Sequence, residues 1–109
     1  MILAVDFDGT LALDSRGLGV DVGMPNMVLI NKLIEVRAKG HKLILWTCRG
    51  GQWLEEAVLW CRDLGLEFDA YNSNIPGYNY IKISCKVVAD LYIDDKSPGS
   101  IKYFLEKEF

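Results

Sequence analysis

Basic residues do not outnumber acidic ones: 12 Lys and Arg stand against 15 Asp and Glu, a formal net charge of −3. A phosphate backbone is held largely through counterion release by a basic surface, so this balance speaks against a nucleic-acid-binding protein. A phosphorylated end can still enter a local site. Histidine occurs once, as His41, at the far end of its strand from Cys48, which leaves that thiol without a local base and excludes a Cys-His nucleophile. Cys48, Cys61 and Cys85 are an odd set without a CxxC pair, which excludes a closed disulfide framework and a zinc or dithiol site; free thiols of a reducing compartment are expected. No apolar run approaches the roughly 18 residues that suggest a membrane helix. The opening Met1-Ile2-Leu3-Ala4-Val5-Asp6 lacks the basic start and small-residue cleavage site of an export signal. The expectation is a soluble, cytoplasmic protein with no membrane partner. Internal repeats and low-complexity tracts are absent as well.

What is present is an ordinary globular balance, 50% hydrophobic and 25% charged over 109 residues, enough for one domain, 1–109, with a small core. A core of that size leaves room for added stability from a ligand, a metal or a second copy in a homo-oligomer. Ile2 to Val5 is wholly apolar, as a strand buried on both faces reads, and it stops at Asp6-Phe7-Asp8-Gly9-Thr10. Residues 11–24 carry three glycines and no helical period, and are predicted as a loop excursion. Pro25 suits a first helical turn, and apolar residues recur at helical spacing from Val28 to Val36 until Gly40, a left-handed cap. Lys42 to Thr47 reads as a second strand, and Trp53 to Leu64 as a second helix closed by Gly65. Leu66 to Tyr71 is a short strand candidate, residues 72–80 are turn-rich, Val87 to Ile93 is a last strand ending on Asp94-Asp95, and a short helix follows Lys96-Ser97-Pro98-Gly99. Strands alternating with helices predict an α/β fold of three layers, Rossmann-like, with a small, mainly parallel sheet and helices on both faces.

In an open parallel sheet, ligands gather beyond the carboxyl ends of the strands. The three strongest strands here end in Asp6-x-Asp8, in Thr47 and in Asp94-Asp95, so four acids and a hydroxyl are predicted at one rim. Crowded carboxylates repel one another and resist desolvation; a divalent cation removes that conflict, and an oxygen-only donor set favours Mg²⁺ over zinc. In extended chain Asp6 and Asp8 point the same way about 6.6 Å apart. A turn after Phe7, permitted by Gly9, brings them closer. A glycine-rich phosphate turn would be needed there for dinucleotide binding, and acids occupy the position instead.

The segment Asp6-Phe7-Asp8-Gly9-Thr10 after an apolar strand resembles the first motif of the haloacid dehalogenase-like hydrolases. Leu43-Ile44-Leu45-Trp46-Thr47 resembles their second motif, and Asp90-Leu91-Tyr92-Ile93-Asp94-Asp95 the paired-acid form of their fourth. The third motif is a lysine ahead of the final acids; Lys86 and Lys82 both qualify, and Lys86, directly before the last strand, is favoured. The resemblance implies a Mg²⁺-dependent phosphatase acting through an aspartyl-phosphate: Asp6 as nucleophile, Asp8 as proton donor and then acceptor, Thr47 and the lysine on the phosphoryl group. It further implies that Asp6, the backbone carbonyl of Asp8 and Asp94 hold the metal, with Asp95 assisting.

Many members of that superfamily carry a large cap domain. Here only the short insertions 11–24 and 72–80 take its place, so the substrate is expected to be a small phosphorylated metabolite or an accessible phosphate on a larger molecule. A phosphotransferase using the same intermediate is one alternative. A non-enzymatic, Mg²⁺-binding phospho-receiver or interaction domain is another, although receivers carry their phosphorylated Asp on a middle strand, where Thr47 stands. Arg49 and Cys48 follow Thr47 and are candidates to line the pocket, Arg49 either on a second anionic group or in a surface ion pair. Trp46, Trp53 and Trp60 are read as core or subunit contacts, His41 as a turn or packing residue, and Asp90 as lying at the entrance to its strand.

Overall fold

A computed structural model describes residues 1–15, 23–77 and 85–109. Four parallel strands form the main sheet: β1 (Ile2–Val5), β4 (Lys42–Leu45), β5 (Ala70–Tyr71) and β6 (Leu91–Ile93), in the order β5-β4-β1-β6. The short strands β2 (Ala12–Leu13) and β3 (Met24–Pro25) pair antiparallel beside it, so the α/β fold is mixed in strand direction. Three helices complete it: α1 (Met27–Ala38), α2 (Gly51–Asp63) and α3 (Ser100–Glu106).

The sheet's two faces divide its apolar residues by the strand period of two. Leu3, Val5, Leu43, Leu45 and Ile93 point to one face, where they pack on Leu29, Leu33 and Val36 of α1, Ala57 and Cys61 of α2, and Phe104 of α3. Ile2, Ala4, Ile44 and Ala70 point to the other, where Ile75 and Val87 cover them. Helices on both faces were expected; the described helices all pack on the first. Chain order accounts for this. The path β1 to β4 to β5 moves twice in one direction, so right-handed crossovers put α1 and α2 on the same side, while Ile75 and Val87, between β5 and β6, lie on the opposite one. Residues 78–84, with Lys82, lie outside the described residues, as do residues 16–22 of the first insertion.

Several boundaries differ from the sequence reading. Pro25 does not open α1: it pairs with Ala12 in β3, and Asn26 caps the helix, its side chain accepting from the Leu29 N–H at 3.3 Å. Val87 to Asp90 does not extend β6. Val87 is spent covering the second face, and the Asp90 carboxylate turns to the Ile2 N–H at 2.6 Å, at the entrance of the sheet. The Leu66 to Tyr71 strand shortens to β5, held against β4 by Asp69, whose carboxylate accepts from the Leu43 N–H and from Arg37. Gly40 does adopt the left-handed cap, at φ 102°. His41 lies at the opposite end of the sheet from the acids, its Nδ1 2.8 Å from the amino group of Met1 and its ring edge-on to Phe109. Of the tryptophans, Trp60 meets Phe7 edge to face and Trp46 packs on the second face, whereas Trp53 is 48% exposed. All three cysteines are free thiols.

Candidate functional site

Strand register builds the site. Val5 pairs with Ile93 and with Leu45, so the residues that follow each strand emerge side by side at the carboxyl edge. The ladder continues one step beyond the strands: the Asp6 N–H donates to the Ile93 carbonyl at 2.9 Å and the Trp46 N–H to the Val5 carbonyl at 2.9 Å. Asp6 therefore lies beside Asp94, with Thr47 on the next strand over. One carboxylate oxygen from each of Asp6, Asp94 and Asp95 lies within 4.8 Å of the other two.

The three acids are held from behind by backbone groups and hydroxyls. Thr10, fully buried, places its Oγ1 3.0 Å from Asp6 Oδ2 and 3.3 Å from Asp95 Oδ1, and accepts the Asp95 N–H at 2.9 Å. Its single proton serves one of the two carboxylates at a time. Ser100 accepts the Asp94 N–H and donates to the Asp94 carbonyl, while Asp94 Oδ1 accepts from the Lys96 N–H at 2.8 Å. Gly9, at φ +83°, lets the loop pass so close that a Cβ there would stand 2.6 Å from Asp95 Oδ2.

Crowding has an electrostatic consequence. Burial first, and then the neighbouring charge of Asp94, push the Asp6 carboxyl from 3.8 up to about 7, against the lowering effect of the Thr10 hydrogen bond. Asp94 is also raised, by burial and by Asp95. Three carboxylates crowded within 4.8 Å of one another, with oxygen donors alone, fit a hard divalent cation. The cluster is able to chelate a metal, and both fold and cluster are compatible with enzymatic activity.

Asp8 goes elsewhere. It lies in the turn after Phe7, whose carbonyl accepts from the N–H groups of Thr10, Leu11 and Ala12, and it is not among the clustered carboxylates. Asp8 receives Arg49 Nε on Oδ2 at 2.9 Å and Nη2 on Oδ1 at 2.8 Å, together with the Ser15 hydroxyl. Arg49 was expected on a substrate anion or in a surface pair. Its side chain is 2% exposed, so the pair with Asp8 is a buried one. The Thr47 hydroxyl accepts the Arg49 N–H at 3.1 Å, and Asn72, just beyond β5, accepts the Thr47 N–H and donates to the Arg49 carbonyl. Cys48 is exposed. Lys86 is exposed with its Nζ 5.3 Å from the Tyr92 ring centre, whereas Lys82 lies outside the described residues.

Thr10, Ser15, Asn72 and Ser100 were not singled out from the sequence. Only Thr10 carried a signal there, as the last residue of the segment that starts at Asp6. The others become visible only when strand order brings distant segments together.

No protein-family model matches the chain, and no curated protein matches it. Among solved structures, a conserved protein from Bacteroides thetaiotaomicron is similar, with 36% sequence identity, a TM-score of 0.81, and coverage of 100% of this chain and 93% of that one. Identity at that level over nearly the full length of both chains means that the protein belongs to the same family as this conserved Bacteroides thetaiotaomicron protein.

Proposed function

We propose that the protein is a capless phosphatase of the haloacid dehalogenase-like superfamily, hydrolysing a phosphomonoester with the help of Mg²⁺. The observation that carries this reading is the convergence of Asp6, Asp94 and Asp95 to within 4.8 Å at the carboxyl edge of a parallel sheet. Asp6, Asp94, Asp95 and the backbone carbonyl of Asp8 are the groups proposed to hold the ion. Bound there, Mg²⁺ would offset the charge shared by carboxylates and phosphoryl group and polarise the phosphoryl oxygens.

In this reading an Asp6 oxygen attacks phosphorus in line, the ester P–O bond breaks, and the departing oxygen takes a proton from Asp8. Asp8 then removes a proton from water, which attacks the phosphorus of the aspartyl-phosphate; inorganic phosphate leaves and Asp6 is restored. Thr47 accepts the Arg49 N–H on its oxygen, so its own proton serves a phosphoryl oxygen. Lys86, or Lys82 in its place, supplies the positive charge that positions the phosphoryl group. Without a cap domain, substrate selection falls to the short insertions or to a second copy of the chain, which suits a small metabolite or an exposed phosphate on a larger molecule.

The test is phosphate release from sugar phosphates, nucleotides, phosphoamino acids and phosphorylated polynucleotide ends, with Mg²⁺ or EDTA and with Asp6→Asn as control. Release that requires both Mg²⁺ and Asp6 is expected. No Mg²⁺-dependent release across that panel contradicts the reading.

A further inference from the structure

Arg49 occupies an unusual place for a cation beside a phosphate-handling rim. Its guanidinium is closed in: Nε and Nη2 reach both oxygens of Asp8, Nη2 also lies 3.3 Å from the Ser15 hydroxyl, and Nη1 faces the Trp53 carbonyl at 3.4 Å. The planar group stacks over Phe7, 4.9 Å from the ring centre. Asp8 keeps 17% of its side-chain surface while Arg49 keeps 2%, so the carboxylate is the more open of the two partners. To bind a substrate anion, Arg49 would have to give up a two-point pair with Asp8.

The surroundings keep that charge within the protein. The hydrogen bond to Asp8 raises the Arg49 pKa against the effect of burial, and Glu56 adds to the rise. The Glu56 carboxylate has one buried oxygen, Oε2, with no hydrogen-bond partner among the described residues. Asp8 and Glu56 thus both bear on one guanidinium, which anchors the turn ahead of α2 to the loop that follows β1.

We infer that Arg49 is a positioning residue: by bridging both oxygens of Asp8 from behind, with Ser15 alongside, it fixes the plane and reach of the carboxylate that exchanges protons with the leaving group and with water. This inference rests on the phosphatase reading and deepens it. A fork is required, because a single ammonium cannot span both oxygens in fixed geometry. Arg49 itself touches neither phosphate nor metal.

The experiment measures kcat and KM for the wild type, Arg49→Lys and Arg49→Met in Mg²⁺, on an alkyl phosphate and on p-nitrophenyl phosphate. The alkyl leaving group needs a proton from Asp8; nitrophenolate leaves with little help. For the alkyl ester, kcat/KM, which reports formation of the aspartyl-phosphate and not its hydrolysis, is expected to fall about 10²-fold or more in Arg49→Met, with Arg49→Lys between the two. The loss of kcat/KM on p-nitrophenyl phosphate is expected to be distinctly smaller. A general loss of folding cannot imitate this, since it would lower both substrates alike, and Arg49→Lys supplies the comparison should Arg49→Met not fold. Equal losses of kcat/KM on both substrates, or no loss on the alkyl ester, overturn the inference and leave the phosphatase reading standing. A wild type with no Mg²⁺-dependent turnover overturns both.

Discussion

A Cβ on Gly9 would stand 2.6 Å from Oδ2 of Asp95, although the two residues are 86 positions apart in the chain. The glycine is needed twice over: its φ of +83° is one that L residues rarely adopt, and its bare Cα makes room for a carboxylate of the cluster. Gly9→Ala is expected to destabilise the fold by about 1–2 kcal/mol through the backbone alone. It should also push the Asp95 side chain aside, weakening stabilisation by Mg²⁺. Chemical denaturation with and without Mg²⁺ checks both effects; an unchanged Mg²⁺ increment would separate Asp95 from the metal.

The raised carboxyl of Asp6 sets a pH dependence. Its folded value is about 7 against 3.8 in the ordinary state, so between these values the folded chain binds more protons than the unfolded one. In EDTA, the Asp6 contribution to stability is therefore greatest at acid pH and falls as pH rises through that window, levelling off above about 7. A cation competes with the proton and relieves the repulsion among the acids. The rise in Tm given by Mg²⁺ is thus expected to be larger near pH 8 than near pH 5.5, and Asp6→Asn should flatten the difference. Equal Tm shifts at the two pH values would contradict this description of the cluster.

Lys86 and Lys82 are the two candidates for the proposed phosphate-binding lysine. Lys86 rests over Tyr92, a residue of β6 whose hydroxyl donates to the Val87 carbonyl at 2.7 Å, which ties the lysine's segment to the strand that delivers Asp94. Lys86→Ala is expected to lower kcat about 10²-fold or more without moving the midpoint of thermal unfolding, and Lys82→Ala to leave kcat near the wild-type value. The opposite ranking would reassign the phosphate-binding lysine.

The acids at the rim could be read from the sequence because each follows an apolar run, and a buried parallel strand ends where the chain reaches solvent. That reading located Asp6, Thr47 and Asp94-Asp95. It could not show that β6 lies next to β1, the adjacency that brings Asp6 and Asp94 together. Nor could it separate Asp6 from Asp8: alternation places both on one side of an extended strand, and only the turn folded onto the Phe7 carbonyl sends Asp8 to Arg49. Arg49 itself looks like any surface cation in the sequence, since burial of a charge is decided by a partner 41 residues away. Val87 to Asp90 read as strand because apolar runs look alike whether they pair in a ladder or cover a sheet face. Pro25 carried a helix-start signal that the pairing with Ala12 outweighed.

Trapping the phosphoenzyme tests the central claim most directly. Protein turning over a phosphomonoester in Mg²⁺ is quenched in acid, reduced with borohydride, digested and sequenced by mass spectrometry. Reduction of an aspartyl-phosphate leaves homoserine, and the account predicts it at position 6, dependent on Mg²⁺ and on substrate. Mg²⁺-dependent phosphate release with position 6 unmodified, and undiminished in Asp6→Asn, would contradict it.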